Sequence, residues 1–330
     1  MVGAVVVKDG ALVGEGFHPR WGEPHAEPIA LAAAGDATRG ATLYVTLEPC
    51  THAGKRPPCT PAIIEAGVGR VVVATRDPNP QAAGGIDALR AAGIEVHVGI
   101  EEAAARELNA PFLHRFASDR PWVTLKLALS VDGAITDATR SAGWLTGAES
   151  RREVHRLRAA SDAIAIGLGT ALADDPLLTV RGVKQPRVAP ARVVFDREAR
   201  LPLGSRLVRT AGGVPLVVVT DGSAPERERA LREAGARVIV ATSTHSALVA
   251  LRDAGIHSLL AEGGAGLVGT LLESGAVDRL IIFRAPILLG GGALPAFSRA
   301  PSNPLEQAAR LRVVSQRRLG EDEMTIYALR

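Results

Sequence analysis

Short runs of apolar residues alternate along this chain with stretches whose apolar positions recur at helical spacing. In the first third, the runs GAVVV, TLYV, RVVV and EVHV are separated by segments rich in Ala and Leu. Strands that are almost continuously Val and Ile, alternating with helices, predict an α/β fold whose sheet is covered on both faces. The dipeptide Asp9-Gly10, placed between two strand patterns, predicts a hairpin at the start of the chain.

A second alternating series follows the segment PFLHRFASDRP, which interrupts the first. We therefore place a domain boundary there and predict domains over residues 1–117 and 118–330. The last two strand patterns, LRVVSQRRL and EMTIYAL, are predicted to pair as a terminal hairpin. Thr146 and Glu149 have the spacing of a capping box and predict the start of a helix over SRREVHRLRAA.

Composition narrows the class of protein. The 330 residues carry a formal net charge of +3 without a dense basic run, which argues against a nucleic-acid partner. No apolar stretch approaches the length of a membrane span, and the first residues do not have the pattern of a signal peptide, so we expect a cytoplasmic enzyme. The two cysteines, Cys50 and Cys59, suggest metal binding or simple burial rather than a disulfide framework.

A histidine and a glutamate stand at the start of the apolar helix pattern AEPIALAAA. Buried side chains of these types are costly unless they are paired or bind a metal. A catalytic zinc takes three protein ligands, which His25, Cys50 and Cys59 can supply. Glu27 is then available to carry protons, as in the signature of zinc deaminases. The alternative is a buried histidine with two incidental core cysteines.

The stretch HAE…ATLYVTLEPCTHAGKRPPC resembles the deaminase half of the bifunctional riboflavin-biosynthesis deaminase/reductase, the RibD type. The resemblance implies a cytidine-deaminase-like αβα domain. It also implies hydrolytic deamination of 2,5-diamino-6-ribosylamino-4(3H)-pyrimidinone 5′-phosphate. By their positions in the motif, His18, His52 and Lys55 are expected to contact this substrate, with the lysine at its phosphate.

Two features depart from that family pattern. Arg56 stands where the family usually has Thr. The family also begins with a helix and an Asn-Pro ahead of the segment equivalent to MVGAVVV, and its asparagine is expected to bind the pyrimidine. One expectation is therefore that Met1 is an internal methionine and a misassigned start. The other is a deaminase that lacks a helix and a substrate contact.

The second half contains several residues that suggest binding. Lys126 lies in a strand pattern, where a buried lysine needs an anion or a cofactor, and a solvent-facing lysine is the alternative. A glycine-bearing turn after DAIAIGLG could hold phosphate at the next helix. Gly264, Gly266 and Gly269 match G-x-G-x-x-G, but they lie too late in the chain for a Rossmann fold, and tight packing of a turn explains them equally well.

The motifs LKLALSVDG, WLTGAESR, VHRLRAASDAI, GTALADDPLLTVR, EGGAGL and APILLGGG resemble the reductase half of the same enzyme type. The resemblance implies a dihydrofolate-reductase-like α/β domain that uses NADPH to reduce 5-amino-6-(5-phosphoribosylamino)uracil. It implies a substrate site formed by Lys126, Arg158, Asp174, Arg181 and Glu262. The NADPH site it implies is formed by Trp144, Gly167, Thr170, Gly263 and Gly264.

Within that set, the resemblance assigns a catalytic role to Lys126 and to Asp174, which is expected to assist hydride transfer. Asp175 is expected to cap the local backbone. Ala142 stands where the family usually has Ser, which puts one phosphate contact in question. The resemblance also implies a homo-oligomer formed through the reductase half, with small molecules as the only other partners. The alternatives are a reductase with an impaired deaminase half, a deaminase of another nucleotide, or an inactive zinc-stabilised scaffold.

Overall fold

The computed structural model describes residues 2–20, 22–140, 143–304, 306, 308 and 310–329. The chain divides into two compact units, Met1–Ala117 and Ser118–Arg330. Among the residues described, none of the helices combines the length and the apolar character that crossing a bilayer requires.

The first unit is an α/β unit with one five-stranded sheet in the order β2-β1-β3-β4-β5. Its strands are β1 (Gly3–Lys8), β2 (Ala11–Phe17), β3 (Thr42–Val45), β4 (Arg70–Val73) and β5 (Glu95–Val98). Its helices are α1 (Ala26–Ala34), α2 (Cys59–Glu65), α3 (Gly85–Ala91), α4 (Glu102–Leu108) and α5 (Ala110–Ala117), with a 3-10 turn at Gly35–Thr38. The first three strands in this order are antiparallel neighbours, and β3, β4 and β5 are parallel.

The predicted hairpin is confirmed, because β1 and β2 pair across Asp9 and Gly10, which both have positive φ. One face of this sheet packs its Val and Leu side chains against α1, α2 and α3 in a single core. The prediction that helices cover both faces is wrong for part of this sheet. On the opposite face, a cavity of about 570 Å³ lies beside Val5, Tyr44 and Val72.

The second unit is built on a nine-stranded sheet in the order β11-β10-β9-β8-β12-β6-β13-β16-β15, and β7 and β14 form a separate pair. Its strands are β6 (Trp122–Leu129), β7 (Ala134–Thr136), β8 (Ala163–Gly167), β9 (Ala191–Phe195), β10 (Leu216–Thr220), β11 (Arg237–Val240), β12 (Ser258–Glu262), β13 (Arg279–Arg284), β14 (Leu294–Pro295), β15 (Arg312–Leu319) and β16 (Asp322–Ala328). Its helices are α6 (Ala148–Ala159), α7 (Leu168–Asp174), α8 (Arg206–Arg209), α9 (Pro225–Glu233), α10 (Thr244–Asp253) and α11 (Ala265–Glu273).

The strands from β11 to β13 in this order are parallel, and the predicted terminal hairpin, β15–β16, is confirmed as the antiparallel edge. Strands β8 and β12 are neighbours and end at Gly167 and Glu262. Strand β6 continues for three residues beyond Lys126, which pairs with Glu262. The carboxyl ends of parallel strands form the edge at which α/β sheets bind ligands.

The start of α6 differs from the prediction. Its N-cap is Gly147, without a side-chain cap, so the capping box of Thr146 and Glu149 is wrong. Instead, Asp322 at the start of β16 accepts hydrogen bonds from the Gly147 N–H at 2.8 Å and from the Ser150 hydroxyl at 2.6 Å. A carboxylate from the terminal hairpin therefore accepts from the N-cap N–H and places a negative charge at the positive end of this helix.

A buried ion pair stabilises the beginning of the second unit. Arg120 donates through both terminal nitrogens to the two carboxylate oxygens of Asp278, each at 2.7 Å. Asp278 also accepts from the Val123 N–H at 2.8 Å. The two charged side chains are only 6% and 4% exposed, so each depends on the other to offset its loss of hydration.

Candidate functional site

In the first unit, one histidine and two cysteines converge as the sequence predicts. His25 Nδ1 lies 3.1 Å from Cys59 Sγ and 3.5 Å from Cys50 Sγ. The three potential ligand atoms all lie within 4.8 Å of one another. Ligands of one tetrahedral zinc, at about 2.0 Å for nitrogen and about 2.3 Å for sulfur, are separated by comparable distances. One imidazole and two thiols are also a donor set that zinc prefers, so these residues fit the metal.

The main chain around α2 holds the two cysteines together. The Cys50 carbonyl accepts hydrogen bonds from the N–H groups of Cys59 at 3.2 Å and Thr60 at 3.3 Å. The Cys50 thiol also accepts from the Cys59 N–H at 3.4 Å. Hydrogen bonding from Cys59 lowers the pKa of the Cys50 thiol, which favours the thiolate form that a metal ligand needs.

Glu27 lies in the first turn of α1, two residues after His25, and is only 3% exposed. Burial raises the pKa of its carboxyl group above the ordinary value. Its neighbours include the Cys50, Cys59 and His25 side chains, so the carboxyl group faces the three potential ligands. A buried carboxyl group in this place is suited to accept and release a proton beside the metal.

Glu48, which is not among the predicted site residues, fixes the segment that carries Cys50. Its buried carboxylate accepts from the N–H groups of Gly84 and Ile86, both at 3.1 Å, and from that of Asp77 at 3.2 Å. The backbone is packed so closely here that a Cβ on Gly85 would lie 1.8 Å from the Pro49 carbonyl oxygen. The one local signal was the position of Glu48 directly before Pro49-Cys50.

The residues predicted to bind the first substrate lie on two segments around the metal ligands. His18 donates from Nδ1 to the Pro24 carbonyl at 3.0 Å, and its ring meets that of His25 edge-on at 5.3 Å. His52 and Lys55 are exposed on the loop before α2. Arg56 of the same loop donates to the Gly22 carbonyl at 2.9 Å. Arg56, the departure from the family pattern, therefore ties this loop to the segment between His18 and His25.

In the second unit, three of the predicted substrate residues form one charged cluster. Arg158 makes a two-pronged ion pair with Glu262, at 2.6 and 2.8 Å. Lys126 lies opposite Glu262 in the register of β6 and β12. Burial lowers the pKa of Lys126, while the charge of Glu262 opposes that shift. Despite its burial, Glu262 has a lowered pKa because it accepts from Arg158.

Asp174 and Arg181 lie between Arg158 and Glu262 in sequence, and both are exposed. Asp174 is the last residue of α7, and partial burial raises the pKa of its carboxyl group. Asp175 accepts from the Arg206 N–H at 2.8 Å, 31 positions away at the start of α8, so the prediction that it caps the local backbone is wrong. The main-chain N–H of Arg181 donates to Nδ1 of His155 at 3.2 Å. This histidine was missed, although it stands one helical turn before Arg158 in VHRLR.

Four of the predicted NADPH residues lie at the starts of two helices. Gly167 is the N-cap of α7 and Gly264 is the N-cap of α11. A Cβ on Gly264 would lie 3.3 Å from the Thr170 hydroxyl, and a Cβ on Gly263 would lie 3.3 Å from Leu267. The two turns therefore form one narrow cradle of small residues on neighbouring strands. Such a cradle fits the close backbone approach that a dinucleotide pyrophosphate needs.

The remaining predictions about this half have different outcomes. Trp144 is 64% exposed, and its ring lies 5.5 Å from the Arg151 guanidinium. Ala142, where a phosphate contact was in question, lies outside the described residues. Gly266 and Gly269 belong to α11 itself, where a Cβ on Gly269 would lie 2.3 Å from the Arg299 carbonyl oxygen. Close packing therefore accounts for the last glycine of the G-x-G-x-x-G match.

Two family models match this chain. The RibD C-terminal domain matches residues 121–325, and the cytidine and deoxycytidylate deaminase zinc-binding region matches residues 1–75. The riboflavin biosynthesis protein RibD of Aquifex aeolicus is 42% identical, covering 99% of this chain and 91% of that protein. The protein of the same name from Escherichia coli is 41% identical, covering 97% of this chain and 91% of that one.

Solved structures of such proteins are similar over the same length. Acinetobacter baumannii RibD superposes with a TM-score of 0.82 at 38% identity, covering 99% of this chain and 91% of that one. The diaminohydroxyphosphoribosylaminopyrimidine deaminase/5-amino-6-(5-phosphoribosylamino)uracil reductase of Thermotoga maritima superposes with a TM-score of 0.83 at 35% identity, with the same coverage. The two predicted fold types, deaminase-like and reductase-like, are therefore confirmed.

Proposed function

The chain belongs to the RibD family and is a bifunctional deaminase/reductase of riboflavin biosynthesis, and we propose that each of its two compact units carries one of the two reactions. The first unit, residues 1–117, would perform the zinc-dependent deamination, and the second, residues 118–330, the NADPH-dependent reduction. The convergence of His25, Cys50 and Cys59 around the buried Glu27 is the observation that carries this proposal.

For the deamination, we propose that His25, Cys50 and Cys59 hold the zinc ion. When bound, zinc supplies Lewis acidity that lowers the pKa of water to near neutrality. The Glu27 carboxylate takes the proton released as water adds to the pyrimidine carbon that carries the amino group. It then gives that proton to the departing amine, so that ammonia leaves and Glu27 is ready for another cycle. The raised pKa of Glu27 supports this exchange at neutral pH.

We propose that His18, His52 and Lys55 orient the substrate of this first step. Lys55 supplies a positive charge for the 5′-phosphate, and the loop that carries it is attached by Arg56 to the segment after His18. The edge-on contact of His18 with His25 supports a place for His18 beside the metal ligands.

For the reduction, NADPH supplies the hydride that converts the ribosyl group into a ribityl group. We propose that Gly167, Thr170, Gly263 and Gly264 bind this cofactor at the starts of α7 and α11, together with Trp144. Arg158 and Arg181 are proposed to bind the substrate phosphate, because two guanidinium groups suit its geometry. Glu262 holds Arg158 through both carboxylate oxygens.

Lys126 and Asp174 are the proposed proton carriers of the reduction. When C1′ of the ribose accepts the hydride, the ring oxygen that it releases must gain a proton. Burial lowers the pKa of Lys126 and raises that of Asp174, so both groups release or accept protons more easily near neutral pH than they would in water.

We also propose a homo-oligomer formed through the reductase unit and a cytoplasmic location. The supporting observation for the location is the pair of free thiols, Cys50 and Cys59, which must stay reduced to bind metal. Analytical ultracentrifugation of the full chain tests the oligomer, which a single monomeric species would exclude.

Product analysis by mass spectrometry tests the two activities. The chain is incubated with zinc and NADPH, first with the diaminopyrimidinone phosphate and in parallel with its deaminated form. We expect the ribityl product from both. Reduction of the deaminated compound alone would contradict deamination by this chain, and no reaction with either would contradict both assignments.

A further inference from the structure

His155 lies next to the proposed phosphate-binding residues of the reductase site but has no role in the reaction described above. It is half-buried on α6, three residues before Arg158, so the two side chains share one face of that helix. Both side chains hold the segment that follows α7. Arg158 donates to the Thr179 carbonyl at 3.1 Å, and His155 accepts from the Arg181 N–H at 3.2 Å.

That segment is strained at its beginning. Leu178 has a φ of +50°, in the left-handed region that a bulky side chain rarely adopts, and it is buried to 4% exposure. A residue persists in such a conformation only where its surroundings impose it. The contacts from α6 and the burial of Leu178 together impose it here, and they determine where the backbone of Arg181 lies.

We propose that His155 is a positioning residue of the reductase, which holds Arg181 in its substrate-binding position through an unprotonated Nδ1. This inference rests on the proposed role of Arg181 in binding the substrate phosphate. The hydrogen bond is made by the main chain of Arg181, so its guanidinium group remains available for the phosphate.

The chemistry of imidazole adds a dependence on pH. A neutral imidazole accepts at one nitrogen, whereas the protonated ring donates at both and cannot accept from the Arg181 N–H. Arg158 and Arg181 face the ring with positive charge, Glu262 faces it with negative charge, and the Thr179 main chain also contacts it. Burial, with the two arginines, lowers the pKa of His155, so the accepting form prevails at neutral pH. Acidification below this pKa releases Arg181.

The test uses His155→Phe, His155→Asn and Arg181→Ala in the full-length, zinc-loaded chain. Phe keeps the ring volume but has no acceptor, whereas the Asn side-chain oxygen can replace Nδ1. His245→Phe is the matched control, since this histidine belongs to the same unit and is 64% exposed. For each variant, kcat and both KM values of the reductase are measured from about pH 5.5 to 8, together with thermal unfolding.

At neutral pH we expect His155→Phe to raise KM for 5-amino-6-(5-phosphoribosylamino)uracil by about 5- to 10-fold, as loss of one hydrogen bond predicts. We expect KM for NADPH and kcat to change by less than about twofold. His155→Asn should restore most of the substrate affinity. The wild type should lose affinity at acid pH more steeply than His155→Asn does. The substrate phosphate, with a second pKa near 6, titrates equally in both.

Two results would overturn the inference. If Arg181→Ala raises KM but His155→Phe does not, His155 has no positioning role and the proposed phosphate site still stands. If Arg181→Ala itself leaves KM unchanged, the assignment of Arg181 fails and the inference fails with it. Equal acid profiles for the wild type and His155→Asn would refute the pH dependence.

Discussion

Replacement of Glu27 by Gln is expected to separate the proposed proton transfer from metal binding in the deaminase site. Gln has nearly the same shape as Glu but cannot carry a proton between water and the leaving amine. We expect His25, Cys50 and Cys59 to keep their positions, because Glu27 contributes none of the three potential ligand atoms that lie within 4.8 Å of one another. Its 3% exposure leaves little room for solvent to take over its role.

The expected magnitude follows from this burial. A positioned general acid/base contributes about 10²- to 10⁴-fold to a rate, which corresponds to about 2.7 to 5.5 kcal/mol of activation free energy. With solvent largely excluded, we expect the deaminase kcat of Glu27→Gln to be at least about 10²-fold lower than that of the wild type. Zinc should remain at one ion per chain.

The second activity of the same chain is an internal control. Release of ammonia reports deamination, oxidation of NADPH reports reduction of the already deaminated substrate, and elemental analysis reports zinc. The expected outcome is full reductase activity, full zinc content and loss of deamination. Deamination at more than about a tenth of the wild-type rate would refute the role of Glu27, and loss of zinc would show that Glu27 belongs to the metal site.

Three further predictions concern separate parts of the molecule. Cys50→Ala should lose bound zinc and deamination while reduction continues, and zinc retained at full content would exclude Cys50 as a ligand. Asp278→Ala, which leaves Arg120 without its carboxylate, should lower the free energy of unfolding of the reductase unit by about 3–5 kcal/mol, measured as loss of reductase activity in urea. Asp132 has a pKa lowered to about 2, mainly by hydrogen bonding from Ser130 and then from the Gly290 and Leu289 N–H groups. Its stabilising contribution is therefore present above the unfolded pKa of 3.8 and is lost as pH falls toward 2. Asp132→Ala should not show this loss of stability in acid unfolding. Identical acid transitions of the wild type and Asp132→Ala would contradict the prediction.

Much of the fold could be predicted from local patterns. The Val-rich runs of both units became strands because such side chains suit a sheet buried by helices. Asp9 and Gly10 specified their turn because both positions need positive φ. The convergence of His25 with Cys59 could be predicted although the two are 34 positions apart, since the order of one histidine, a glutamate and two cysteines is typical of zinc deaminases.

Contacts between distant parts of the chain could not be predicted in this way. Asp322 accepts from Ser150 across 172 positions, and no local pattern distinguishes it from other acidic residues. The role of His155 depends on where the segment after Leu178 returns to α6, which the register of the whole sheet determines. A sequence pattern records which side chains are buried, but not which distant N–H group each polar atom meets.

The hydrogen bonds of Glu48 have a consequence for how the enzyme matures. Its carboxylate fixes the backbone next to Cys50 through main-chain N–H groups alone, so this part of the site does not depend on zinc for its shape. We therefore expect the first unit to fold before it is loaded and to survive removal of the ion by a chelator. In a cell short of zinc, we expect such a protein to stay folded and to regain deamination once the ion is supplied, without new synthesis.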